Sequence, residues 1–271
     1  FAHFTLASKQ PAMTGAALAN ALGTRENTAR QLELVAGVTR SQVAATLGNV
    51  FATIPVAALV VVAYHWLGDS TPLDAEQAAH SVHAVHPFLS LTIPFAMLTG
   101  VFLWMASLAA GWAANWSAYR GLAEALRNHR GLKVALGAGG AERAGRLVEQ
   151  HLSGIVGSLA LGMLLGFVPV MLDRFVGLPI EVRHVTLQAA SLALAAGSLY
   201  GTEAFHWGDV AWGALGVVLI AVCNLGVSFA LALRTAARAR DLGPRDRQRL
   251  ASELRAAFAQ DPRRFLWRPR A

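Results

Sequence analysis

A chain of 271 residues in which 55% of side chains are apolar and 14% charged, with a mean hydropathy of +0.44, is too oily for an ordinary soluble domain. Its net charge of +7 is concentrated: residues 234–271 hold eleven Arg against Asp241, Asp246, Glu253 and Asp261, and account for all of it. That distribution excludes a basic body built to grip nucleic acid and leaves a basic tail, while the lone Cys223 excludes an intrachain disulfide.

The chain opens at Phe1 with no charged n-region and cleavage site, so no signal peptide is visible, and the sequence reads as a piece of a longer protein. Ala, Arg and Gly are abundant and Lys is scarce, as in GC-rich bacterial genomes. Residues 1–42 read as a cytoplasmic or interfacial segment.

A spanning helix needs roughly 20 predominantly apolar residues. Residues 43–67, 88–112, 153–172 and 210–233 each supply a long run without charge, whereas 185–200 is short and rich in Ala and Ser. Between the first two runs, 68–87 carries Asp69, Asp74 and Glu76 and no Lys or Arg, while basic residues flank the pair on both sides. By the positive-inside rule the acidic loop faces away from the cytoplasm and both flanks face into it. The Arg-rich tail belongs on the cytoplasmic side as well, so an even number of crossings must separate it from residue 154. Three apolar segments lie between, and 185–200 is the one expected not to cross.

The expected fold is therefore all-α, a polytopic transmembrane helix bundle of four to five apolar segments. A first transmembrane hairpin occupies 43–116, and a cytoplasmic helical hairpin 117–152, with arms over 122–136 and 141–152 and a glycine turn at 137–140. A second transmembrane region covers 153–233, and the tail, 234–271, contains an amphipathic helix read from Leu250, Leu254 and Phe258.

Four motifs have the residue types of functional sites. Gly154, Ser158, Gly162 and Gly166 form a stripe at four-residue spacing, which in a membrane helix is a packing surface or the lining of a solute path. Asn49 and Asn224 lie within apolar runs, where an amide needs a partner because lipid provides none, so they read as interhelical hydrogen-bonding residues or as points on a solute pathway. His80, His83 and His86 recur every third residue, a spacing that lets one ion take only two of them, and they read as interfacial histidines with no metal assigned. Arg263, Arg264, Phe265, Trp267 and Arg268 interleave cations with aromatics, as suits anionic headgroups or, alternatively, nucleic-acid phosphates and bases. The headgroup reading is simpler for a tail that leaves a membrane helix. No Walker loop, GxSxG, HExxH or CxxC is present, so no catalytic residue and no cofactor is assigned.

The stretches LASKQPAMT (6–14), HAVHPF (83–88), LAAGWAANWSAYR (108–120), GLPIEVRHVTL (177–187), NLGVSFALALR (224–234) and RRFLW (263–267) resemble a family of bacterial membrane proteins named site-specific recombinases. The resemblance runs from end to end and implies the C-terminal membrane half of a longer family member. Its name implies DNA strand exchange. A tyrosine recombinase needs a Tyr nucleophile set among Arg and His, but Tyr64, Tyr119 and Tyr200 lie at span edges or in apolar sequence and no HxxR element occurs. Three roles follow as expectations: a structural, anchoring or transport-related domain of the bacterial inner membrane, DNA binding or recombination through the tail, and a small-solute channel. The expected partners are anionic lipid and other membrane helices or a second copy of the chain.

Overall fold

The computed structural model describes residues 28–68, 70–239 and 243–267. Among these the chain is all-α, with no strand, as its periodicity requires. The helices are α1 (Thr28–Gly68), α2 (Ala75–Ala84), α3 (Thr92–Tyr119), α4 (Leu122–Asn128), α5 (Arg130–Gly162), α6 (Val168–Val176), α7 (Val185–Leu199), α8 (Trp207–Ala239), α9 (Pro244–Gln260) and α10 (Arg263–Leu266).

Among the described residues four helical stretches are long and apolar enough to cross a membrane: Leu32–Gly68, Thr92–Tyr119, Arg130–Val176 and Trp207–Ala239. The third is continuous because a π-helical turn, Met163–Phe167, joins α5 to α6. Pro169 has no N–H, and its ring would strike the carbonyl of Leu165 in a regular helix. The widened turn just before it, in which Val168 N donates to Met163 O, accommodates the ring without ending the helix. The fifth apolar segment, α7, has 15 residues and measures about 22 Å at helical rise, less than the ~30 Å hydrocarbon core.

Two compact units divide the described chain. Of the described residues, the first contains those within 28–35, 102–171 and 228–260. In it α4 packs antiparallel on α5, close enough that a Cβ on Gly145 would lie 2.5 Å from Arg127 Cγ and 2.8 Å from Ala123 O. The expected first arm, 122–136, is not one helix. It breaks at His129, whose extended backbone (φ −67°, ψ 116°) and Nδ1, accepting from Leu132 N at 3.2 Å, start α5 afresh. Gly137 then turns the chain at φ 73°, ψ 169°, a conformation open only to glycine. The second arm does not end at 152 but runs on into the membrane-length helix, since nothing between 141 and 162 breaks it. Elsewhere in this unit Trp104 Nε1 donates to Thr235 Oγ1 at 3.2 Å, tying α3 to α8.

The second unit contains the described residues within 36–101, 172–227 and 261–267. Its core is centred on α7, where Val185, Ala189, Leu192, Ala195 and Leu199 are buried against Val82 and Val85 of α2 and its end, and against Val217 and Ile220 of α8. Close backbone approach sets the packing. A Cβ on Gly216 would overlap the Val85 carbonyl oxygen, and one on Gly213 would lie 2.7 Å from Leu192 Cδ1. One on Gly100 of α3 would lie 2.8 Å from Val227 Cβ and 3.2 Å from Asn224 O of α8. On α1, by contrast, Phe51, Val56 and Leu59 are exposed, as on a helix that faces hydrocarbon.

Overpacking a close helix contact costs about 1–3 kcal/mol. Gly216→Ala should therefore lower the thermal unfolding midpoint of the detergent-solubilised chain by several degrees, while Gly162→Ala, whose Cβ meets nothing within 4 Å, leaves it unchanged or slightly raised. Equal midpoints for the two variants would contradict the packing.

Candidate functional site

The residues singled out in the sequence do not converge on one site. Gly154 is buried, Ser158 is half-buried, and Gly162 and Gly166 are exposed with open space where a Cβ would stand. The buried small positions of that helix are Ala141, Gly145, Gly154 and Gly157, and the last two lie three apart because a helix face drifts with 3.6-residue periodicity rather than four. Asn49 is exposed on α1, and Asn224 is 1% exposed on α8. In the tail Arg263, Leu266 and Trp267 are exposed, but Phe265 is buried and anchors α10, and Arg40 Nη1 donates to the Arg264 carbonyl. Arg268 lies outside the described residues.

Of the histidine run, His80 and His83 are exposed and His86 serves the fold. His86 Nδ1 accepts from Phe88 N at 3.2 Å and Leu89 N at 3.1 Å, closing the turn between α2 and α3, and its ring packs on Trp212 with centroids 5.3 Å apart. Ser90 and Thr92 hydroxyls complete that turn by donating to Ala84 O. Among the described residues no three His, Cys, Asp or Glu side chains gather as a metal-binding set.

A cavity of about 270 Å³ opens in the first unit between α3, α4 and α5, lined in part by Ser117, Glu124, Arg127, Glu149 and Ser153. Its cation is already engaged. Arg127 hydrogen-bonds Glu149 and lies 3.4 Å from Glu142 and 3.6 Å from Glu124. The Glu149 hydrogen bond, reinforced by the charges of Glu149 and Glu142 against partial desolvation, holds the guanidinium above its ordinary range. This cluster braces the hairpin.

Apart from Arg127 Nε, which faces Glu142 at 3.4 Å, the buried side-chain nitrogens and oxygens without hydrogen-bond partners among the described residues lie in the second unit, where 177–184 runs without helix between α6 and α7. Arg183 N donates to Thr99 Oγ1 at 3.0 Å in a buried contact, so the loop docks on α3 at its eighth residue, about 10 Å along the helix from its start. The next residue of α3, Gly100, takes the backbone of Cys223 and Asn224. One turn of α3 thus joins the loop, through Thr99, to the middle of α8, through Gly100.

The Arg183 side chain is only 9% exposed. One end of its guanidinium pairs with half-exposed Glu181, and its Nε is buried without a partner. Thr186 Oγ1, both amide atoms of Asn224 and, near the far end of α7, Ser198 Oγ are likewise buried without partners. An arginine keeps its proton, so this is a retained positive charge inside the packed unit. Burying such groups unpaired costs free energy, and concentrations of them mark functional places. Of this set the sequence pointed only to Asn224. Arg183 resembled an ordinary loop cation, and the usable signal was its position two residues before an apolar segment too short to cross.

Thr99→Val keeps the volume but leaves the buried Arg183 N–H without an acceptor, a loss of about 1–3 kcal/mol. It should lower the unfolding midpoint, with Thr99→Ser restoring most of the loss. A Val variant that melts with the wild type would show that the loop does not depend on this bond.

No curated protein and no solved structure matches the chain. The sequence model of one family, described as Site-specific recombinase, matches residues 1–268. The match covers nearly the whole chain, and the protein belongs to the site-specific recombinase family.

Proposed function

We propose that this chain is a multi-pass domain of a bacterial inner membrane that crosses four times and acts as an anchor, holding its hairpin and basic tail together on the cytoplasmic side. The observation that carries the reading is the pairing of four membrane-length helices with a fifth apolar helix that is both short and enclosed. Only Leu187 of α7 is exposed; its other residues are buried or half-buried. One end of α7 follows the loop docked at Thr99, and near the other, Gly197 packs on Val61 of α1, seven residues before that helix ends. Such a helix enters and leaves on one side. Irregular backbone at membrane depth is tolerated where protein covers it, and in 177–184 the covered end is the buried Arg183 on Thr99. The crossing number is then even, and the basic flanks of all four helices share a side.

Reporter fusions test the topology: Gly137 and the C-terminus should report the cytoplasm, and residue 72 the opposite side. Gly137 and the C-terminus on opposite sides would overturn the four-crossing arrangement.

A second reading comes from the family's description, which is that of a DNA recombinase. Tyr64, Tyr119 and Tyr200 are all exposed on separate elements, α1, the end of α3 and the turn after α7. The tail is the part with DNA-compatible chemistry, and its exposed Arg263, Leu266 and Trp267 suit anionic headgroups equally. The purified full chain in neutral nanodiscs separates the two. Headgroup binding predicts that Arg263→Ala with Trp267→Ala weakens attachment to phosphatidylserine vesicles several-fold. DNA binding predicts a steep salt-dependent affinity for duplex DNA that the same pair of substitutions weakens.

A further inference from the structure

The geometry points to a buried binding site for a small monovalent anion, of chloride or formate size, at the N-terminal turn of α7. The site is formed by Arg183, Thr186, Asn224 and the first backbone amides of the helix. The inference goes beyond the anchoring role and does not depend on the number of crossings.

The first intrahelical bond of α7 is Gln188 N to His184 O, so the amides of Val185, Thr186 and Leu187 precede it. The N-cap is His184, and its side chain makes no capping bond. A soluble helix would normally present Ser, Thr, Asp or Asn here or open to water. Here Val185 is buried, His184, Thr186 and Gln188 are half-buried and Leu187 is exposed, and no side chain caps the positive end of the helix dipole.

Side chains supply independent support. Arg183, immediately before the cap, is nine-tenths buried with Nε unpartnered, and Thr186 Oγ1 in the first turn is buried and unpartnered. Asn224, fully buried, keeps an unpartnered side-chain amide on the turn of α8 whose backbone packs on Gly100, the residue after the Thr99 that holds Arg183 N. Guanidinium N–H, the Thr186 hydroxyl, Asn224 Nδ2 and the helix-start N–H groups can all donate to an anion, with Asn224 Oδ1 the one pure acceptor among the unpartnered atoms.

The charge is also specific. Glu181 offsets Arg183 through the outer nitrogen only and is itself 51% exposed, so it stands at the rim. What remains inside is the inner edge of one guanidinium and about half a positive charge from the helix end. One negative charge balances that, whereas sulfate or hydrogen phosphate at charge −2 would not be balanced in a low-dielectric interior.

The test uses the full chain purified in a neutral maltoside detergent, with gluconate as the bulky balancing anion at constant ionic strength. Chloride, formate, sulfate and phosphate are titrated in turn, and the unfolding midpoint is followed by tryptophan emission. Chloride and formate should raise the midpoint saturably, and sulfate should not. Glu181→Gln, which removes the rim competitor without touching the core, should lower the half-saturating chloride concentration about tenfold. Asn224→Leu should abolish the saturable response. If Asn224→Leu does not fold, the Glu181→Gln shift decides alone. No saturable response in the wild type and Glu181→Gln, or the same response to every salt, would overturn the site. A response to phosphate alone would overturn the monovalent class and indicate a lipid or free phosphate group.

Discussion

Backbone-to-backbone contact at single glycines is the constraint on which the second unit rests. Gly100 brings α3 against the carbonyls of Cys223 and Asn224, and Gly216 brings α8 against the carbonyl of Val85. Between membrane helices the hydrophobic effect gives no drive for association, because lipid tails are as apolar as leucine. Cohesion must come from dispersion and weak polar contacts, which fall off steeply with separation. A side chain at either glycine would push the helices apart and forfeit that contact. These two approaches also fix where α7 lies, since Leu192 of α7 and Val85 share the groove next to Gly213.

The polar cluster follows from the same packing. Thr99 and Gly100 are neighbours on α3, so the turn that admits the α8 backbone also receives the 177–184 loop. A short enclosed helix preceded by irregular chain needs acceptors for its loop amides and a neighbour that shields them from lipid. Thr99 supplies the acceptor for Arg183 N, and α2 and α8 supply the shielding of α7. The π-helical turn before Pro169 lets the preceding helix reach Val176 unbroken, and so sets where the loop begins.

Much of this architecture was legible along the chain. Uncharged runs of membrane length, an apolar run too short to cross, glycine at the hairpin turn and charge gathered in the tail are local properties, and the helices appear where those runs lie. The site was less legible. The regular stripe through Gly154, Ser158, Gly162 and Gly166 was visible but only partly buried, whereas Gly100 and Gly216, which carry the contacts, belong to no conspicuous pattern. Asn49 and Asn224 look alike in sequence, yet one is exposed and the other buried. Phe265 looked like part of a surface grip and is an anchor.

By itself the sequence determined the helical class, the candidate spans, the short fifth segment and the family, because hydropathy, length and similarity are read residue by residue along one dimension. Only the tertiary structure decided which glycines meet a neighbour, that α7 is wrapped by protein, and that Arg183, Thr186 and Asn224 are buried without partners. Those are properties of which faces meet, and a helix with apolar residues all round gives no signal of the face it will turn inward.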